Sequence, residues 1–249
     1  MKLGDRNTSF FHTQTAVRRK RNKIQGLFLE NGQWSTDETT LQAETINYFK
    51  KLFEVDSSTT PDTLIGSHVP RLSDTCRSSL IEPVLKEEVR RAGFGMKSCK
   101  APGPDGFQPI FFKYFLGEIG DDLWQLVHKV FLAGHINGQI PETLLVLIPK
   151  EKNPKRLQNF RPIALCNVIF KVITKVIVNS LRPFLDDLIS PLQSSFIPQR
   201  GTTNNAILAQ EVIHYIHHSR AKKGTIAFKI DLEKAYDRPN WVFFGDNTS

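Results

Sequence analysis

Thr143-Leu144-Leu145-Val146-Leu147-Ile148-Pro149-Lys150, followed by Asn159-Phe160-Arg161-Pro162-Ile163, is the stretch on which the fold turns. The first run is continuously apolar and short, which reads as a buried strand ending at a cation. The second is another short extended piece. Between them Glu151-Lys152-Asn153-Pro154-Lys155-Arg156 supplies the polar turn that a hairpin needs. Each arm carries an isolated basic residue, Lys150 and Arg161. Arginine offers a bidentate fork and lysine a point charge, so such a pair can clamp a triphosphate. Ordinary strand-edge cations would read the same way.

C-terminal to the hairpin, Leu165 to Leu181 repeats apolar residues at 165, 168, 169, 172, 173, 176, 177 and 181, a helical stripe that places Cys166 in buried packing and that Pro183 stops. Asn204 to His218 is a second helix. Its His214, His217 and His218, with Glu211 a turn earlier, read as a solvated face, because no further ligand cluster accompanies them. Thr225 to Ile230 alternates as a strand does and delivers Asp231 at its end, with Asp237 further on. A carboxylate at a strand end is where an enzyme holds a divalent metal, although Asp there also serves as a turn former or helix cap.

N-terminal to the hairpin, Asp121 to Leu132 reads as a helix capped by Asp121 and ended by Gly134. Phe111 to Leu116 precedes it. Val84 to Arg91 reads as a helix stopped by Gly93 and Gly95. The loop Lys100-Ala101-Pro102-Gly103-Pro104-Asp105-Gly106 combines fixed and permissive φ angles, so it must be a stiff, shaped turn. Residues 56 to 75, rich in Ser, Thr, Pro and Asp, read as a linker. A turn at Glu30-Asn31-Gly32 leads into a helix with Leu41, Ile46, Phe49, Leu52 and Phe53 on one side. The sum is an α+β pattern, helix-rich with few strands.

The 249 residues carry 33 Lys plus Arg against 25 Asp plus Glu, a net charge of +8. That balance favours a polyanionic partner. The run Arg18-Arg19-Lys20-Arg21 is dense enough to track phosphates or to serve nuclear import. No apolar run reaches the ~18 residues of a membrane span, and nothing at the N-terminus reads as a secretory signal. Three widely spaced cysteines argue against a disulfide framework. A nuclear or cytoplasmic protein that is not secreted is the expectation.

In this order the chain resembles the reverse transcriptase of plant non-LTR (LINE-type) retrotransposons. The resemblance is carried by Gly4 to His12, Lys100 to Phe107, Leu147-Ile148-Pro149-Lys150, Asn159 to Leu165, Gln193 to Pro198, and Asp231 to Arg238. It implies a basic arm and helical region over 1–55, a linker over 56–75 and a partial polymerase domain over 76–249. Within that domain, helix-rich fingers span about 76–220 and the first strand of a right-hand palm lies at about 221–244. Asp231 then matches the first catalytic aspartate and a ligand of Mg²⁺, with Leu232 adding its backbone carbonyl. Tyr236 matches the aromatic gate against a ribose 2′-OH. Lys150 and Arg161 match the finger cations that grip the deoxynucleoside triphosphate. Lys100 and Arg200, with Arg18 to Arg21, are the expected contacts to RNA template and DNA primer.

Two departures stand out. Family members usually have Pro-Gly-Arg and Asp-Asn where this chain has Pro198-Gln199-Arg200 and Asn204-Asn205, so a positive-φ turn at 199 is not expected. No Asp-Asp pair follows Asp231, which implies a truncated palm and a chain inactive by itself. A non-catalytic nucleic-acid-binding module, or a decayed transposon relic, would share these features.

Overall fold

The structure, a computed structural model, describes residues 9–54, 71–219 and 225–230. Among them the order is α1 Ser9–Asn22, β1 Leu27–Phe28, β2 Trp34–Ser35, α2 Glu38–Phe53, α3 Asp74–Ile81, α4 Lys86–Phe94, α5 Pro109–Tyr114 and α6 Leu116–Ala133. There follow β3 Thr143–Pro149, β4 Phe160–Cys166, α7 Val168–Leu181, α8 Leu185–Leu188 and α9 Thr202–His218. The chain divides into two compact units, one of Met1–Lys51 with Glu82–Asn179, the other of Leu52–Ile81 with Ser180–Ser249. The α+β, helix-rich expectation holds. The linker expected at 56–75 falls mostly outside the described residues.

The main core of the first unit is built by α4, α5, α6 and α7. Val168, Val172, Ile173 and Val176 of α7 are buried, and they meet Val89 and Ala92 of α4, Phe112 of α5, and Leu123 and Val127 of α6. The i, i+4 spacing that made α7 legible is the spacing that fills this core. Trp124 anchors the edge by donating its indole N–H to the Val84 carbonyl at 3.0 Å. Glu88 reaches back to accept the Leu85 backbone N–H at 2.8 Å, closing the first turn of α4.

Several boundaries differ from expectation for identifiable reasons. α4 runs through Gly93, which lies buried inside it, and ends at Gly95. α6 begins at Leu116, so Asp121 is not its cap; Asp121 instead pairs with Lys86. Gly134 does end α6, with φ +69° and its N–H on the Val130 carbonyl at 3.0 Å. α7 begins at Val168, because residues 160–166 extend as β4. Cys166 is therefore a half-buried strand residue rather than a buried helical one.

β3 and β4 pair antiparallel over seven residues each, from Thr143 opposite Cys166 to Pro149 opposite Phe160. The hairpin forms as expected, but among the described residues it is a two-stranded ribbon with one face open, so β3 is not fully buried. Beyond the last pair, the Lys150 N–H donates to the Asn159 carbonyl at 2.8 Å. Alternation from that bond puts Pro149 and Pro162 at positions whose N–H would point outward, so neither proline costs a ladder bond and both blunt the open edges. A second, smaller core of Leu27, Leu157 and Phe160, flanked by Ile24, Leu41, Tyr48 and Leu147, fastens the hairpin to the segment after α1. The Phe28 N–H donates to the Lys155 carbonyl at 2.8 Å and fixes the turn itself.

In the second unit, Arg200 organises the loop between α8 and α9. Its Nη1 donates to the carbonyls of Ser190 and Gln193, and its Nη2 to Asp186 Oδ1 and the Ile189 carbonyl. Asn205 adds bonds to the Leu192 carbonyl and to Ser194 Oγ. Gln199 keeps a positive φ of 65°, against the expectation from its replacement of glycine. α9 has no buried residue, and His214 stacks on His218 on its exposed face. Thr225–Ile230 forms no strand: nothing among the described residues pairs with it, and Ile226, Phe228 and Ile230 are 75%, 83% and 81% exposed.

Candidate nucleotide and nucleic-acid interface

The hairpin register decides where its two cations sit. Ile148 is opposite Arg161, and Lys150 is two residues beyond Ile148. Because side chains alternate along a strand, Lys150 and Arg161 fall on one face as diagonal neighbours, ~7–8 Å apart in a regular ribbon. Both are exposed. Lys150 Nζ donates to the Gln158 carbonyl at 2.9 Å, which holds the ammonium at the turn end of the ribbon. The Arg161 guanidinium has no hydrogen-bond or ion-pair partner among the described residues, so its fork is open. The opposite face, with Leu147 and Phe160, is the one that enters the second core. One face is thus anchored and the other presents two uncompensated cations, an arrangement that suits a polyphosphate.

The Lys100 to Gly106 loop is shaped by a residue the sequence reading passed over, Asn167. Buried between β4 and α7, it accepts the Asp105 N–H on Oδ1 at 3.2 Å and donates from Nδ2 to the Gln139 carbonyl at 2.9 Å. Gly103 packs against it directly: an added Cβ would lie 2.5 Å from the Asn167 nitrogen and 2.6 Å from the Cys166 carbonyl carbon. The glycine is needed for this close approach, and Gly106 is needed for its φ of +74°. Asn167 also gives its carbonyl to the Lys171 N–H, opening α7. An Asn just ahead of an apolar helical run is a capping signal, and starting α7 at Leu165 hid it. Lys100 is exposed at the head of this loop.

The remaining expected contacts are scattered. Arg18, Arg19, Lys20 and Arg21 are all exposed on α1, in or next to its last turn, where positive charge suits the helix C-terminus. Four consecutive helical residues point around most of the circumference, so they do not make one flat basic face. Arg200 is on the second unit, its side chain 18% exposed and its guanidinium engaged by that unit's own carbonyls and Asp186. Asp231, Leu232 and Tyr236 lie outside the described residues. Among the described residues, no group of three or more His, Cys, Asp or Glu side chains is placed to hold a metal. No helix among them is long and apolar enough to cross a membrane.

Residues 148–243 match the family described as "Reverse transcriptase (RNA-dependent DNA polymerase)", a span that takes in Lys150, Arg161, Asp231 and Tyr236. The chain is 28% identical over 237 residues to a Xenopus laevis protein named "Transposon TX1 uncharacterized 149 kDa protein", covering 94% of this chain and 18% of that one. It is 24% identical over 224 residues to the "Retrovirus-related Pol polyprotein from type-2 retrotransposable element R2DM" of Drosophila melanogaster, covering 89% and 20%. A Pol polyprotein from a type-1 retrotransposable element R2 of Nasonia vitripennis matches at 25% over 162 residues, or 64% and 14%. The chain thus spans a fifth or less of the length of these relatives. On these matches residues 148–243 are similar to reverse transcriptases, and most of the chain is similar to a part of proteins named for transposons and retrotransposable elements.

Proposed function

We propose that these 249 residues form the fingers and the start of the palm of an RNA-directed DNA polymerase from a plant non-LTR (LINE-type) retrotransposon. The observation that carries the reading is the hairpin: within the matched span, Lys150 and Arg161 share one open face of a ribbon whose other face is anchored. That pair grips the triphosphate of a deoxynucleotide, while Tyr236 excludes a ribose 2′-OH and the basic surfaces hold RNA template and DNA primer. The reverse transcriptase family generally uses divalent metal ions. Mg²⁺ would be held here by Asp231 and the Leu232 carbonyl, supplying activation of the primer hydroxyl and neutralisation of the leaving pyrophosphate. One aspartate cannot offset two dications, so polymerisation needs further carboxylates beside Asp231. A nuclear or cytoplasmic setting fits the basic run Arg18 to Arg21.

The second reading, a module that binds nucleic acid without chemistry, is favoured by the net charge of +8. Primer extension on a homopolymer RNA template with Mg²⁺, by the chain and by Asp231→Ala, separates the two. Incorporation by the chain alone supports a complete polymerase site. Salt-sensitive binding to primer-template without incorporation by either supports the binding reading. Failure of both proteins to bind primer-template would overturn both.

A further inference from the structure

A groove of about 710 Å³ runs between the 95–101 loop, β4 and α7. Lys97 and Lys100 stand on the loop side and Lys171 and Lys175 on the helix side, with Met96 and Leu165 among its apolar lining and no carboxylate in its wall. The sequence is segregated to the same end: neither 95–104 nor 160–179 contains an Asp or Glu. None of these four lysines takes part in an ion pair among the described residues. Four like charges around one cleft repel one another unless a bound anion answers them.

The neighbouring cleft shows the alternative. It is lined by Lys86, Arg90, Lys113 and Asp121, and its charges are answered internally. Lys86 pairs with Asp121, Arg90 approaches Glu87 at 3.9 Å, and Lys113 donates to the Met96 carbonyl. The 95–101 groove has no carboxylate to answer its lysines, and the bond from Lys171 to a backbone carbonyl leaves its charge unneutralised. It is also braced. Lys171 Nζ donates to the Ala101 carbonyl at 3.2 Å across the cleft, and the same loop is fixed further on where Gly103 meets Asn167.

We infer that this groove is a track for the sugar–phosphate backbone of a nucleic-acid strand, separate from the hairpin cations that face the nucleotide. The inference rests on the reading that the chain works on nucleic acid. Lys171 and Lys175 are one helical turn apart, ~5–6 Å between Cβ atoms, a spacing that successive phosphates along a strand can match. Lysine heads act as point charges and carry no fork that reads a base edge. The lining hydroxyl of Thr174 is turned back onto the Phe170 and Lys171 carbonyls, each at 3.1 Å. The groove contributes charge and shape, and the binding it supports is independent of base sequence.

The test is the salt dependence of binding to a fluorescent oligothymidylate, read by anisotropy between about 50 and 200 mM KCl. Lys171→Ala/Lys175→Ala is compared with Lys50→Ala/Lys129→Ala, a charge-matched pair on α2 and α6 that does not line the groove. Each lost phosphate contact flattens the slope of log affinity against log salt by ~0.7 on a single strand, so the groove variant loses ~1.4 while the matched variant keeps the parent slope. Lys97→Ala/Lys175→Ala removes two groove charges without touching the Lys171 tether, and gives the same loss if the fold is unaffected. As a readout on the unaltered chain, acetylation of Lys97, Lys171 and Lys175 is slowed by the oligonucleotide. A parent chain that binds steeply while both groove variants keep its slope overturns the track and leaves the nucleic-acid reading standing. A parent chain that does not bind overturns that reading, and the track with it.

Discussion

Gly103 and Asn167 are in backbone contact across 64 residues of sequence, so close that a methyl group on the glycine would fall 2.5 Å from the Asn167 nitrogen. The obstacle is the Asn167 side-chain oxygen together with backbone at the β4–α7 junction, and because the backbone atoms cannot swing aside, the loop must move to admit even alanine. Gly103→Ala is expected to destabilise the first unit by ~1–3 kcal/mol, the usual cost of overpacking. Chemical denaturation followed by tryptophan fluorescence reads this through Trp124. An unchanged midpoint would show that the loop is not held against the junction.

Asn167 is tested separately, because it acts through both ends of its amide. Asn167→Ala leaves the Asp105 N–H and the Gln139 carbonyl without their partner, and because both belong to exposed residues that water can reach, ~0.5–1.5 kcal/mol is expected for each bond lost. Asn167→Asp keeps the acceptor toward Asp105 but sets a carboxylate against the Gln139 carbonyl. It should therefore recover little of the loss. A variant with aspartate as stable as the parent would place the Gln139 contact outside the working set.

The turn before α9 gives a prediction of the opposite sign. Gln199 has φ +65°, a region that costs an L-residue ~1–2 kcal/mol, whereas the extra chain entropy of glycine costs ~0.5–1 kcal/mol. Arg200, with four bonds to the surrounding loop, is what holds the strained residue in place. Gln199→Gly should raise stability by ~0.5–1 kcal/mol, and Gln199→Ala, which keeps the strain, should not. Thermal unfolding of the two variants side by side decides it.

These sites also mark where the sequence was legible. The α7 stripe and the cations at 150 and 161 could be read because local periodicity and local order carry them: Val168, Val172 and Val176 repeat at helical spacing, and a polar turn separates two apolar runs. The extent of β4 could not, since whether Ala164 to Cys166 joins strand or helix depends on pairing with Thr143 to Leu145. Asn167 was missed for the same reason, as its partners are 28 and 62 residues away. Asp121 looked like a cap by residue type, but the true start of α6 is set by packing of Leu116 and Ile119 on the core. The alternation at Thr225 to Ile230 is a strand propensity without a partner strand among the described residues, and pairing rather than propensity makes a strand.

Asp37 supplies a dependence on pH. Immediately before α2, its Oδ2 accepts the Thr39 hydroxyl at 2.6 Å, the Thr40 hydroxyl at 2.7 Å and the Thr40 N–H at 2.8 Å. These bonds, that from Thr39 first, push its carboxyl down to about 2 from 3.8. A group lowered on folding stabilises the fold fully above its unfolded value, and the contribution fades as pH falls through its folded one. α2 should therefore lose anchoring between about pH 4 and 2 in the parent chain. Asp37→Asn retains an acceptor and does not titrate, so the stability difference between parent and variant narrows over that interval. A difference that stays constant from pH 5 to about 2 would remove Asp37 from the account.

The hairpin cations separate binding from folding. Lys150 and Arg161 are exposed and lie on the face turned away from the second core, so Lys150→Ala and Arg161→Ala should leave the unfolding midpoint unchanged. Hydrogen bonds to charged groups contribute ~1.5–3 kcal/mol, so each variant should weaken deoxynucleoside triphosphate binding by ~10- to 100-fold, measured by equilibrium dialysis. Arg161→Lys tests the geometry: it restores charge but not the fork, and should recover only part of the affinity. Because the two side chains are diagonal neighbours on one ribbon face, their effects should not add. A double variant close to the weaker single one would mean that a single phosphate chain bridges them. If neither single variant changes nucleotide affinity, the hairpin is a structural ribbon with two solvated ends, and the nucleotide-binding role assigned to it fails.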